Sequence, residues 1–506
     1  MALTTLSGCI ALLGADARPS PGPVDVVIDG PRIADIRPAG SAPLQGTIVD
    51  ASRHLVTPGL VNGHHHSAEH FHKGRYDNLP LELWMNFTRP IKPLPLTPRH
   101  IYLRTMVGAI EALHTGTTTL IDDFNVSPVL KPEHVAAGFE AYDDIGIRAL
   151  LGPTLFDKPF FRAMPFVDEE FPADLLRELD SMQQTPPEEV LDFVRGLAKQ
   201  RHPATNRVGY IVAPSAPQRC TEKFLLQARA LADEFDLPLM IHVQETRLQV
   251  VTGHIFFGST MVEYLDRLGF LKPKTSLIHA VWLNPREIEL LARAGATVQH
   301  NPASNLKMGS GLQPLREVLD AGVNVSMGSD GVASIETVNM HPVMAAGALL
   351  SKLRGPEFTR WVGSREIWRA ATQGGAQGLG RERDLGVLDK GRVADIVGYR
   401  RDRIALTPLN DPVRQLVYAE TGADVDMVFV DGEPVLMDGK LTRVDEAALL
   451  REITEVHAEL APLLAESEGH VNRMREPYER IYRRCLATPI AADTYPALMR
   501  TSDLDR

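Results

Sequence analysis

Four histidines and one aspartate stand where short apolar runs end. The first run, Thr57-Pro58-Gly59-Leu60-Val61-Asn62-Gly63, leads into His64-His65-His66. Further along, Leu239-Met240-Ile241 leads into His242, Leu277-Ile278 into His279, and Val325-Ser326-Met327-Gly328-Ser329 into Asp330. Residues two apart in a strand point the same way, so His64 and His66 share one side and His65 faces the other. A His-x-His pair says little alone, and a single histidine after an apolar run is more often a satisfied core residue. The joint pattern is much harder to obtain by accident. Neutral imidazoles with a carboxylate suit a zinc or iron ion, with one position left for water. Such an ion lowers the pKa of its water from about 15.7 to about 7, which makes hydroxide available at neutral pH to attack an sp2 carbon.

Positioning such groups requires strand ends that meet. Apolar runs at residues 118–121, 147–151, 209–212, 238–241, 276–278, 296–298 and 323–327 alternate with helical stretches such as 221–235 and 284–294. Alternation repeated about eight times predicts an α/β fold, a (β/α)8 TIM barrel over residues 57–383 with its chemistry at the C-terminal strand ends. Residues 24–29 and 32–36 read as strands joined by Gly30-Pro31, and strand-turn patterns return at 386–398 and 427–439 with Asp431-Gly432 and Asp438-Gly439 turns. These predict a small β-sandwich built from both termini, residues 1–56 and 384–443. A charged helical extension, 444–506, is expected to pack on a neighbouring surface and points to a homodimer or larger homo-oligomer. Residues 161–187, rich in Pro, Asp and Glu, read as a long barrel loop.

The composition narrows the partners. The chain has 506 residues, 44% hydrophobic and 23% charged, with a formal net charge of -11. That length accommodates a barrel and a second module. An acidic chain repels phosphate backbones and anionic membranes, so the expected partner is a small molecule, with no nucleic acid and no membrane. Cys9, Cys220 and Cys485 are odd in number and widely spaced, which points to a reducing, cytoplasmic location. Leu6-Ser7-Gly8-Cys9 has the look of a lipoprotein box, but no Lys or Arg precedes it, and a first strand is the reading adopted.

These segments together resemble the amidohydrolase superfamily, in the branch with the triazine hydrolases and the nucleobase and adenosyl-compound deaminases. Pro58-Gly59-x-x-Asn62-x-His64-x-His66 is similar to the family's opening motif, His242-Val243-Gln244-Glu245 to its strand 5 motif and His279-Ala280 to strand 6. The segment His300-Asn301-Pro302-Ala303-Ser304-Asn305 resembles strand 7, Gly328-Ser329-Asp330-Gly331 strand 8, and Gly391-Arg392-Val393-Ala394-Asp395-Ile396-Val397 the return to the sandwich. The resemblance implies His64, His66, His242 and Asp330 as ligands of one divalent metal ion, zinc first and iron second. It gives His279 a hydrogen bond to the attacking hydroxide or the substrate. Strand ends here carry no lysine suited to a carbamate bridge, in keeping with a single metal.

Deamination of a small N-heterocycle of triazine, purine, pyrimidine or pterin type follows as the expected reaction. Asp330 would accept the proton of the attacking water, Glu245 would pass a proton to a ring nitrogen or leaving group, and His279 would stabilise developing charge. Glu245 also reads as a plain helix-start carboxylate; the family pattern favours catalysis. Loss of a substituted amine, or cleavage of a urea, amide or halide, is the alternative within the same mechanism, and a non-catalytic scaffold is the alternative outside it. Ser215 stands where adenosyl-compound deaminases carry a histidine, so Ser215, Gln218 and Arg219 are candidates for contacts to a different polar substrate, or for a loop that touches none. Asn305 is a further substrate-contact candidate. Leu81-Glu82-Leu83-Trp84-Met85 is expected to lid the mouth, with Trp84 either stacking on a planar ring or packing on the barrel. The histidine-rich segment 67–75 reads as substrate contacts or simple surface.

Overall fold

A computed structural model describes residues 3–88, 94–125 and 128–495. Eight buried strands run parallel: β1 (Leu60–His65), β2 (Thr117–Phe124), β3 (Arg148–Pro153), β4 (Val208–Tyr210), β5 (Leu239–Val243), β6 (Thr275–His279), β7 (Thr297–His300) and β8 (Asn324–Met327). They pair in the orders β4-β3-β2-β1 and β5-β6-β7-β8. A parallel bridge between Val212 and Leu239 closes one seam. At the other, the Asp330 N–H donates to the His64 carbonyl at 2.9 Å. The barrel therefore closes at two of the residues singled out for chemistry.

Period-two alternation sorts the strand side chains. Ile121, Leu150, Ile211, Met240 and Ile278 form one apolar cluster inside the barrel, whereas their neighbours Leu120, Leu151, Leu239, Ile241 and Leu277 join the larger core beneath the helices. A filled interior leaves only the mouth for a site.

Strands from both ends of the chain meet in one ten-stranded hydrogen-bonded array, whose junction is Ile396–Arg400 antiparallel to His54–Pro58. The two-residue turn after Val425–Val430 has Asp431 and Gly432 at φ 51° and 73°, the mirror-type turn that the Asp-Gly pair favours. Cys9 lies buried in the first strand, Thr4–Leu13, with its sulfur against the Val24 carbonyl.

The array is clamped to the barrel by a buried guanidinium. Arg148, at the start of β3, donates bidentately to Asp395 at 2.8 and 3.0 Å and also reaches Asp431. Removing one partner of a buried pair strands the other charge, at a cost of about 3–5 kcal/mol. Arg148→Met should accordingly lower the thermal unfolding midpoint steeply, far more than a substitution of the exposed Arg286.

One expectation is corrected and another is made specific. Residues 161–187 are not a plain loop: short helices at Val167–Glu170 and Ala173–Asp180 bury Phe161, Met164, Val167, Phe171, Leu175 and Leu179. The C-terminal extension forms helices Glu446–Asn472 and Arg475–Ala487, and residues 496–506 lie outside the described residues. Met474, Tyr478, Ile481 and Cys485 pack into that same cluster with Leu83, Leu248 and Val251. The neighbouring surface covered by the tail is thus the mouth of its own barrel. No helix among the described residues is long and apolar enough to cross a membrane.

The helix Pro285–Ala294 carries a pH-dependent element. Asn284 and Glu287 cap it reciprocally, and burial pushes the Glu287 carboxyl up to about 7. A group whose folded pKa is raised above the unfolded value costs no stability below about pH 4.5; its cost grows as pH rises and levels off above about 7, at roughly 3 kcal/mol. Glu287→Gln keeps the capping acceptor. It should raise the unfolding midpoint at pH 8 and leave it unchanged at pH 4.

Candidate metal centre

Five side chains converge at the C-terminal mouth. The alternation read from β1 holds: His64 and His66 face the mouth, while the His65 ring points outward to the Tyr142 hydroxyl at 3.0 Å. One nitrogen each of His64, His66 and His242 lies within 4.8 Å of the others, and so do one ligand atom each of His64, His279 and Asp330. Asp330 Oδ1 stands 3.5 Å from His64 Nε2 and 3.4 Å from His66 Nε2. The His66 and His242 rings are parallel within 6°, with centroids 5.6 Å apart.

Backbone carbonyls set the tautomers. His66 Nδ1 donates to the Asp123 carbonyl and His242 Nδ1 to the Ser215 carbonyl, each at 2.9 Å. Each ring then keeps its proton on Nδ1 and aims the Nε2 lone pair at the centre, the second-contact arrangement that fixes metal-binding histidines. Both ring nitrogens of the wholly buried His64 lack a hydrogen-bond partner. Burial, together with His64 and His279, holds the His242 pKa well below the usual imidazole range. Lone pairs turned on one another beside a carboxylate, in a water-poor pocket, are repaid by a cation. The donor set fits a divalent ion.

Asp330 is strained into place. Its φ is 69° and that of His279 is 67°, left-handed values uncommon outside glycine and associated with functional sites. Ser304 donates to Asp330 Oδ2, and the Gly331 N–H to Oδ1 at 2.8 Å. Burial pushes the Asp330 carboxyl up, but the surrounding imidazoles outweigh it and hold the group ionised, well below the ordinary carboxylate range. His279 Nδ1 donates to Asn305 Oδ1 at 2.9 Å, and burial lowers its pKa to about 4. Its Nε2 lies between two carboxylates, 3.6 Å from Glu245 Oε2 and 3.8 Å from Asp330 Oδ2. Glu245 is buried, and its backbone N–H is held by Gln249 Oε1 at 2.9 Å.

Trp84, Ser215, Gln218 and Glu245 line the pocket over this cluster. Trp84 comes from the helix Leu81–Thr88, its indole N–H donating to the Ala333 carbonyl at 3.3 Å. Gln218 Oε1 is buried without a partner. Arg219 lies over the Phe156 ring at 4.4 Å. Asn305 accepts from His279 Nδ1 and so orients that ring. His70 and His72 are buried, not surface groups, with His70 Nδ1 donating to the Arg104 carbonyl. Sequence reasoning missed Asp123, Ser304 and Glu82. Asp123 had a usable signal, since the apolar run Thr118–Ile121 leads into Asp122-Asp123 just as later runs lead into His242 and Asp330.

Comparison with known proteins places this geometry among relatives. The amidohydrolase family profile matches residues 55–435. A 5'-deoxyadenosine deaminase of Methanothermobacter thermautotrophicus is 34% identical over 436 residues, 86% of this chain and 94% of its own. A 5-methylthioadenosine/S-adenosylhomocysteine deaminase of Pyrococcus furiosus is 33% identical over 435 residues, 85% of this chain and 95% of its own. Among solved structures, a zinc-bound adenosine deaminase from Xanthomonas campestris superposes with a TM-score of 0.80 at 25% identity, covering 91% of this chain and 98% of its own. A zinc complex of atrazine chlorohydrolase from Arthrobacter aurescens gives a TM-score of 0.80 at 25% identity, over 90% of this chain and 100% of its own.

Proposed function

Because the chain belongs to the amidohydrolase family, we propose that it is a mononuclear metal-dependent aminohydrolase that releases ammonia from a small aminated N-heterocycle, an adenine-type ring first. The observation that carries the reading is that His64 clusters with His66 and His242 and also with His279 and Asp330, that Asp330 Oδ1 stands 3.5 and 3.4 Å from His64 and His66 Nε2, and that Glu245 lies beside His279. His64, His66, His242 and Asp330 would hold one divalent ion, zinc by donor type and by likeness to zinc-bound structures, with iron as the alternative. When bound, that ion makes hydroxide available from water at neutral pH.

The chain's own groups manage the protons. Asp330, ionised and turned to both sides of the cluster, takes the proton of the attacking water. Glu245 delivers a proton to the ring nitrogen next to the amine-bearing carbon. His279, neutral and with its Nδ1 proton committed to Asn305, presents Nε2 between the two carboxylates and passes a proton from one to the other. The second proton of the added water then passes through Asp330 to the amine, which leaves as ammonia, and the ring keeps the oxygen. Trp84, Ser215 and Gln218 are the proposed substrate contacts, and Asn305 acts through His279.

One observation favours a second reading. Ser215 faces the pocket at the position where a histidine is expected for adenosyl substrates, and a chlorohydrolase shares the fold. Loss of a substituted amine or halide by the same groups is that reading. A screen of aminated purines, pyrimidines, pterins and triazines, reading ammonia, amine and halide release, separates the two; release of none of them would favour a non-catalytic scaffold. We further take residues 57–383 as the catalytic barrel, 1–56 and 384–443 as its companion β module and 444–506 as the extension. Three buried free cysteines support a reducing, cytoplasmic setting. An assembly of identical chains would use a surface other than the tail's apolar face, which is covered within the chain.

A further inference from the structure

Beside the catalytic pocket lies a second cavity of about 520 Å³, walled by the lid helix Leu81–Thr88, the start of helix Arg247–Phe257, residues 308–310 and the C-terminal helix Arg475–Ala487. The free space over the metal centre is only about 80 Å³. Pockets for small organic ligands ordinarily measure about 300–1,000 Å³. The catalytic pocket alone falls short of that range, and the second cavity lies within it.

The two spaces share Glu82, which lines both. This residue is 3% exposed; its Oε1 accepts from Thr246 Oγ1 at 2.5 Å, and its Oε2 is unpartnered. Glu82, held by Thr246, thus stands in the wall that the two cavities share.

The second cavity is cationic on an acidic chain. Arg247, Arg475 and Arg483 line it against Glu479 and the buried Glu82. Arg475 donates to Glu479 at 2.8 Å. Arg247 and Arg483 have no carboxylate partner among the described residues; Arg247 Nη2 donates to the Thr488 carbonyl at 2.6 Å, and its Nε is buried without a hydrogen bond. Burial depresses the Arg247 pKa, as expected for a guanidinium taken from water without a counter-charge. Ser310, 3% exposed and with an unpartnered hydroxyl, lies in the same wall. Arg247 and Arg483, guanidinium groups without a carboxylate beside them, and a free hydroxyl are suited to a carboxylate or a phosphate.

We propose that the C-terminal extension builds a distal substrate subsite, in which Arg247 and Arg483, with Arg475 and Ser310, hold an anionic group at the far end of an elongated substrate whose aminated ring sits at the metal centre. The inference rests on the aminohydrolase reading for the ring and adds the substrate's other end. The selected substrate is a heterocyclic amine with a terminal carboxylate or phosphate.

The test uses the full-length holoenzyme and N9-substituted adenines bearing tails of increasing length. Each tail ends in a carboxylate, a phosphate or the uncharged primary amide. Calorimetry should show one tail length at which an anion binds at least about tenfold more tightly than its amide, the range of a charge-assisted hydrogen bond. The better of carboxylate and phosphate identifies the natural end group. Arg475→Ser/Arg483→Ser should remove that preference, and Arg483→Glu should reverse it. Equal binding of anion and amide at every length, or a preference that both variants keep, overturns the inference. If the preference is found and lost as expected while no member releases ammonia, the deaminase reading fails and the subsite stands.

Discussion

Glu245→Gln should lower kcat by about 10² to 10⁴ while the protein keeps its full complement of metal. The amide retains the shape and a hydrogen-bonding oxygen but cannot carry a proton to the ring nitrogen. Glu245 is not among the groups that converge on the metal centre; it meets that cluster at His279 Nε2, 3.6 Å away. Loss of turnover without loss of metal is therefore the signature of the role assigned to it. The backbone supports a clean result: Gln249 holds the Glu245 N–H, and Thr246 caps the following helix, two anchors that do not involve the carboxylate. Metal content by atomic spectroscopy, with kcat and KM on the best substrate of the screen, reads both halves. A variant that turns over at the parental rate would shift proton delivery to His279 and Asp330.

The residues that make this prediction possible were legible because parallel barrel strands impose one rule on side chains of any identity. An apolar run buried on both faces must end at the mouth, and the residue after its last apolar position is presented there. His242, His279 and Asp330 were found by that rule, and the two-residue period separated His64 and His66 from His65. The rule does not reach contacts made when distant strands close on one another. Ser304 on Asp330 and the Asp123 carbonyl on His66 are such contacts, and neither can be read from spacing. Asn305 is a case of the same kind: its segment was recognisable, but its hold on His279 depends on a turn of the chain after β7. The Pro-rich stretch 161–187 read as a loop because its helices are too short for a periodic pattern. The tail read only as a charged helical extension, because the cluster it joins, with Phe171 and Leu248, lies far away in sequence.

Stripping the metal should abolish turnover and also destabilise the fold, and the two losses have one cause. Without a cation, the His66 and His242 lone pairs, a His64 ring without a hydrogen bond and an ionised Asp330 are left facing one another in a buried pocket. A ligand that binds only the folded state adds about 2.7 kcal/mol at one hundred times its dissociation constant. Holoenzyme treated with a chelator should therefore unfold at a lower temperature, and zinc should restore both midpoint and activity. If ferrous iron restores activity better than zinc, the metal assignment changes and the mechanism survives. Asp330→Asn discriminates further: it keeps the side chain's size and its contact with Ser304 but removes the charge that balances the cation and accepts the water's proton. It should lose activity even where enough zinc is supplied to restore the thermal midpoint. A chain that contains no metal as isolated, whose midpoint ignores chelator and zinc alike, would instead be a scaffold that kept the barrel and lost the reaction; the uncompensated His64 argues against that, because a buried ring with neither nitrogen satisfied is costly unless something binds it.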